Sequence, residues 1–429
     1  MQINEEFLYY LWQYKLFEVG NLTDNPGQKI TILQSGKRNL FGGPDFFNAK
    51  IKIGDQVWAG NIELHVNASD WYRHLHQGDP FYDNVILHVV WNKDTEIFDK
   101  HKVMIPCIEL SRHTNASILN NYRDLIYNKP VFISCETHIR EVDQIVLDHW
   151  RERLFIDRLE HKSERIEKLW KSNKGDWEQT LYMLLAKNFG LQANGEAFFQ
   201  LAKTISWSIV KKERNELSSL EALFFGQTGL LKDAESDSYQ NLLAEKYQFL
   251  SHKYQLQGSP VLVQFGRLRP ANFPTLRLAQ FAALLNSRKS LFSKLISLDR
   301  VEDFYEFFNV KTAAFWLNHY TFQKEAAFID KRLTKSFVDL LIINTLIPLK
   351  FVYFKQIGQE NNEHLFEIMD QIKSEKNNLI RAFKEIGIAS NNAMHSQSLI
   401  QLKQYYCEQK RCLDCEVGNF LIKSTKRAV

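Results

Sequence analysis

The sequence predicts an α+β protein: an N-terminal mixed-sheet domain with flanking helices, then a larger all-helical domain. Three observations carry that reading. Between residue 29 and about residue 110, apolar and polar residues alternate, which is the period of strands; after about residue 140 the apolar residues recur at helical spacing. No Gly-, Pro- or Ser-rich tether separates the regions, so domains 1–135 and 136–429 are expected to meet without a flexible linker. The 429 residues suffice for two or three cores, and the 31 Phe call for large buried aromatic surfaces. A net charge of +4, spread along the chain, points only weakly to an anionic partner.

Residues 4–19 carry Phe7, Leu8, Leu11, Trp12, Leu16 and Phe17 at roughly helical spacing, with Gly20 as the expected C-cap. Strand-like runs follow: "KITILQSG", "FFNAKIKIG", "QVWAGNIELHV", "NVILHVVW" and "HKVMIPCIEL". Gly54-Asp55 supplies a two-residue hairpin turn. Between the third and fourth runs, "SDWYRHLHQGDPFYD" fits a short helix and a turn. Helical patterns then fill the chain from about 140 to 405, interrupted by the loop 258–274. The most apolar stretch, "FVDLLIINTLIPLKFVYF" (337–354), is broken by Pro348 and Lys350 and reads as a buried helix pair, not a membrane span. The N-terminus has no basic leader and the five Cys form no secreted disulfide framework, so the expected compartment is the cytoplasm, with no membrane partner.

The chemistry concentrates in "GGPDFFNAKIKIGDQVWAGNIELHV" (42–66). Residues two apart in a strand share a face, so Glu63 and His65 point away from the core set Ile62, Leu64 and Val66. A regular hairpin brings Asp45 alongside. Two acids and an imidazole on adjacent strands make a pocket suited to Mg²⁺ or Mn²⁺, which can activate water against a phosphodiester. The plain alternative is a solvated charged face on an edge hairpin.

"GGPDF" followed 18 residues after Asp45 by "ELH" resembles the signature of the PD-(D/E)XK nuclease superfamily. The order of elements is similar too: a helix, a hairpin carrying both motifs, a helix and a further strand. The resemblance implies a PD-(D/E)XK-like fold over roughly the first 110 residues, Asp45 and Glu63 as metal ligands, and His65 at the position of a catalytic Lys. It also implies a further acid from the first helix, for which Glu6 and Glu18 are the candidates. His at a Lys position is a departure, because neutral imidazole is a base or a ligand and not a point cation. Along its whole length the chain also resembles a bacterial family of unknown function, through "GGPDF", "NIELHV", "DPFYDNVILHVVW", "RLRPANFPTLRLAQ" and "RCLDC".

Other features are secondary. Asp70 and His74 lie four apart, His76 can contact substrate, and His88 inside "VILHVVW" reads as a sheet histidine. Cys407-x4-Cys412-x2-Cys415 can close around zinc, ahead of an iron–sulfur cluster. A fourth ligand is missing locally; His395, Cys107 or Cys135 would have to arrive through space. Arg267, Arg269 and Arg277 sit on a proline-stiffened loop that suits phosphate binding, or else pair with acidic helices. The expectation is a Mg- or Mn-dependent nuclease-like hydrolase acting on nucleic acid. The other reading is a non-catalytic nucleic-acid- or protein-binding scaffold with a degenerate nuclease fold. The oligomeric state is not encoded in any of these patterns.

Overall fold

The first helix, α1 (Glu5–Tyr14), starts where the Asn4 side chain accepts the Phe7 N–H at 3.1 Å. It stops at Lys15, whose left-handed backbone turns the N–H back onto the Leu11 and Trp12 carbonyls. The helix is therefore shorter than the apolar pattern implied. Phe17 is still buried, but on the chain that leaves the helix. The computed structural model describes residues 3–24, 27–127, 130–232, 238–256, 261–359 and 362–424. These group into two units, one of Met1–Trp150, Ala382–Ile388 and Leu402–Val429, the other of Arg151–Arg381 and Ala389–Gln401.

The first unit holds β1 (Ile30–Gln34), β2 (Lys37–Arg38), β3 (Phe46–Ile53), β4 (Gln56–Asn67), β5 (Val85–Asn92) and β6 (Cys107–Glu109). Their order is β1-β3-β4-β5-β6, with β2 also pairing β3. The β1–β3 and β3–β4 pairs are antiparallel, while β4–β5 and β5–β6 are parallel. The last expected strand shrinks to three residues because Pro106 has no N–H to donate; its carbonyl accepts from His88 instead, and pairing begins at Cys107.

The β3–β4 register is set twice. The two-residue turn pairs Ile53 with Gln56 and Ala49 with Gly60. A bulge at Asn48, whose φ is 58°, then shifts the ladder so that Phe46 pairs with Ile62. One step further along this shifted ladder, Asp45 stands opposite Glu63.

Alternation sends Ile62, Leu64, Leu87, Val89 and Ile108 into one core, with Phe7, Leu11 and Trp12 of α1 and with Tyr122 and Leu125 of α3 (Ala116–Tyr127). The opposite face is covered as well. The short helix α2 (Asp70–Arg73) and the segment after β5 lay Trp71, Ile97 and Ile105 over Val90 and Cys107. The polar residues of this face are consequently enclosed, not solvated.

The C-terminal segment belongs to this unit. The Asn121 carboxamide of α3 donates to the Ile422 and Ser424 carbonyls at 3.1 and 2.8 Å. The sequence reading placed the chain from 402 onward in the helical domain; the contacts of residues 402–424 place them with the sheet.

Among its described residues the second unit is helical except for a small hairpin, His319–Thr321 against Lys324–Glu325, and an isolated bridge between Lys373 and Asn392, so "all-helical" is corrected. Phe281 lies at the centre of its core, with ring centroids of Phe189, Phe224 and Tyr182 at 4.9, 5.6 and 5.7 Å. The apolar stretch is one helical run, Lys335–Gln356, instead of a pair. It widens into a π turn at Ile342–Leu346, which makes room for Pro348 in the next turn. It is long and apolar enough to cross a membrane, yet 72% of its most apolar window is buried inside the fold. Lys350 within it is 1% exposed, and its Nζ donates to the Ile296 and Leu298 carbonyls at 2.8 and 2.7 Å. Lys350→Met keeps the stem but strands those carbonyls. It is expected to cost about 1–3 kcal/mol, read as a lower urea midpoint at unchanged slope.

Candidate acid–imidazole site

The bulged register brings Asp45 and Glu63 face to face. The Asp45 N–H donates to Glu63 Oε2 at 3.1 Å, and the Leu64 N–H donates to Asp45 Oδ2 at 2.9 Å. Glu63 is 5% exposed and His65 1%. Glu63 Oε1 lies 3.5 Å from His65 Nε2 and 3.4 Å from His76 Nε2. His76 is held by stacking on Tyr82, centroids 3.8 Å apart, with the edge of Trp71 beside it. The exposed His74, at the end of α2, brings its Nδ1 to 3.1 Å from His65 Nε2. One nitrogen each from His65, His74 and His76 lies within 4.8 Å of the others, a spacing that suits a shared metal ion.

His88 completes the group from β5, where it pairs in register with Glu63. Its Nε2 is 2.8 Å from His65 Nδ1, while its buried Nδ1 has no hydrogen-bond partner. His65 thus has an imidazole on each side. If it donates from Nδ1 to His88, its Nε2 accepts from His74; if His88 donates, His65 Nε2–H donates to His74. The three rings form a chain along which the tautomers switch together.

Burial sets the charges. It pushes the Asp45 carboxyl up to about 7, helped by the nearby Glu63 carboxylate and opposed by the Leu64 N–H and the Tyr9 hydroxyl. Burial raises Glu63 to about 8, and Glu5 adds to the rise. Burial, with neighbouring His88, His76 and His74, lowers His65 to about 2, and His88 falls to about 3, again chiefly by burial. These imidazoles are neutral at physiological pH. Among the described residues, no Lys or Arg forms an ion pair with Asp45 or Glu63. Acids concentrated in a dry pocket without a compensating cation are expensive. The donor set of carboxylate oxygens and neutral imidazole nitrogens fits a divalent ion.

The acid of the first helix that lies beside these groups is neither Glu6 nor Glu18. Glu6 pairs with Arg38 at 3.3 Å and Glu18 accepts from Asn21 at 2.6 Å. Glu5 instead lies one turn before Tyr9, whose hydroxyl is 3.5 Å from Glu5 Oε2 and also bonds Asp45. Glu5 sits in the field of His74 and His76. Asp70 does not engage His74 through its side chain; it pairs with Arg73 at 2.8 Å and accepts the Asn67 N–H at 3.1 Å.

The arginines separate. Arg277 is 7% exposed, donates to Gln280 and Asn272 at 2.9 and 2.7 Å, and lies over the Phe337 ring. Those contacts make it a packing residue of the second unit, which corrects the expected substrate-binding role. Arg267 and Arg269 are exposed on the segment 261–273; residues 258–260 of the expected loop lie outside the described residues. Cys407, Cys412 and Cys415 come together in the first unit, lining one cavity with Cys135. Cys107 packs elsewhere, beneath α2, and His395 belongs to the second unit.

The fold and the site define an α+β protein whose sheet unit carries a buried cluster of acids and neutral imidazoles. The chain belongs to the family described as "Protein of unknown function (DUF2851)", whose model matches residues 5–378. No curated protein and no solved structure matches it.

Proposed function

We propose that the first unit is a divalent-metal-dependent phosphodiesterase acting on nucleic acid, a nuclease-like hydrolase. The observation that carries this reading is the pairing of Asp45 with Glu63 across β3 and β4, inside a shell of neutral imidazoles and without a balancing cation. The order helix, antiparallel hairpin, helix, parallel strand is the order the nuclease resemblance implies, and supports it. Asp45 and Glu63 would hold the ion, with His76 and His65 as the nearest nitrogen donors and His74 beside His65. Such imidazoles favour Mn²⁺ or a similar transition ion over Mg²⁺. When bound, the ion would supply Lewis acidity and a hydroxide at neutral pH.

Tyr9 would orient Asp45, and Glu5 would add negative charge beside it. His65 is too deeply buried to hold an imidazolium, so it would act as a ligand or as a relay, gaining a proton at one nitrogen as it yields one at the other. The exposed Arg267 and Arg269 are the candidates for contact with phosphate.

The test is cleavage of single- and double-stranded DNA and RNA by the purified chain. Mn²⁺-dependent cleavage that EDTA abolishes is the expected result. No cleavage of any substrate, together with salt-dependent binding that survives Asp45→Ala and Glu63→Ala, would overturn it in favour of a binding scaffold.

A further inference from the structure

Four of the five cysteines meet in one place. Cys135, from the loop after α3, lines a cavity with Cys407, Cys412 and Cys415. The remaining lining includes Leu125, Leu402, Tyr406 and Val417. The cavity is small, about 20 Å³, and partly open to solvent. The Cys407 thiol feels the charge of the other three, but no three of these sulfurs lie within 4.8 Å of one another, so a bound metal would have to draw them together. None is in a disulfide.

The surrounding backbone is shaped for sulfur. Cys415 immediately precedes the eight-residue helix Glu416–Lys423, and its side chain receives the N–H groups of Val417 and Gly418. The Ser134 hydroxyl bonds the Cys412 sulfur. Gly418 is required by the closeness of the turn, since a Cβ there would stand 2.0 Å from the Cys412 carbonyl oxygen. On the other side, the Cys135 carbonyl accepts from His138 and Ile139 at 3.0 and 2.8 Å, and the Glu136 carboxylate gathers the N–H groups of Val131, Phe132 and Ile133. Both strands of the site are thus stiffened independently of any ion. Burial pushes the Cys412 and Cys415 thiols up, and the N–H and O–H donors aimed at their sulfurs oppose that rise.

We propose that Cys135, Cys407, Cys412 and Cys415 ligate a single thiolate-bound metal centre that clamps the C-terminal segment to the loop following α3. Cys135 is the fourth ligand that the local spacing lacked. The chemistry is that of a soft metal held by four sulfurs, and two sources supply it. A zinc ion would draw the sulfurs to about 3.8 Å from one another, from tetrahedral Zn–S bonds of about 2.3 Å. An iron–sulfur cluster would hold the same four sulfurs further apart. The proposal stands apart from the phosphodiesterase reading and survives its failure.

The full chain, isolated without oxygen, is assayed for zinc, iron and acid-labile sulfide. Zinc near one per chain supports the site. So does iron with matching sulfide and a visible absorption that dithionite bleaches. Cys135→Ser and Cys412→Ser are each expected to lower the bound metal by more than about 10-fold, while Cys107→Ser leaves it unchanged. Should the ligand variants fail to fold, alkylation of the wild-type chain decides. One thiol type, Cys107, then behaves alike with and without chelator, and the other four become reactive only after the metal is stripped. A wild-type chain isolated with neither metal above background, metal content indifferent to Cys135→Ser, or a disulfide among the four would overturn the proposal.

Discussion

Glu63→Gln is expected to lower Mn²⁺-dependent phosphodiester cleavage by more than about 100-fold while the protein still folds. Even groups that only orient a ligand cost 10–100-fold in metal affinity or activity, and Glu63 would be a ligand. Its carboxylate also accepts the Asp45 N–H and approaches two imidazoles, so its loss removes an oxygen and loosens the opposing acid. The amide keeps shape and one acceptor, so folding should survive. The measurement is initial cleavage rate against Mn²⁺ concentration, beside a circular dichroism melt. Cleavage that is unchanged in a folded Glu63→Gln protein would remove the site from the reaction.

The metal-free protein is expected to lose stability as pH rises. Asp45 and Glu63 have folded-state pKa values near 7 and 8, well above their ordinary 3.8 and 4.5. Between these limits the native state binds more protons than the unfolded chain, so the derivative of unfolding free energy with pH is negative. The stabilising contribution is complete below about pH 4, falls as pH passes through the folded values, and is gone above about pH 8. It amounts to at most about 9 kcal/mol across the pair. A divalent ion bound there would take the place of the protons, so Mn²⁺ should restore stability most at the alkaline end and release protons as it binds. Urea midpoints at about pH 5 and pH 8.5, with and without Mn²⁺, check this. In Asp45→Asn/Glu63→Gln both the slope and the rescue should vanish. A wild-type protein equally stable at both pH values would show that these carboxyls are not buried together.

Much of this arrangement was legible. The strands around Asp45 and Glu63 announce themselves by alternation, and the Gly54-Asp55 turn fixes where the arms meet. The turn alone, however, would set Asp45 opposite Leu64, on the core face. The bulge at Asn48 moves it opposite Glu63, and a left-handed Asn inside an alternating run leaves no mark in the apolar pattern. Glu5 was missed because α1 is capped at Asn4, which sets the phase of the helix; the same turn carries two adjacent Glu, and only geometry selects one. His74 and His88 gain their meaning from Trp71 and Tyr82, which close over the second face of the sheet, a tertiary event that periodicity does not record. Arg277 looked like its exposed neighbours until its helix was seen to bury nearly every residue. Cys135 could not be assigned by spacing, because it meets its partners across most of the chain.

The return of the segment past Leu402 to the sheet has a consequence for synthesis. A ribosome delivers the strands early, yet Asn121 and the Cys135 loop wait for partners until the second unit has been made. The portion translated first is thus completed last, and a nascent chain halted before Leu402 would carry an unfinished sheet unit behind a helical one free to mature.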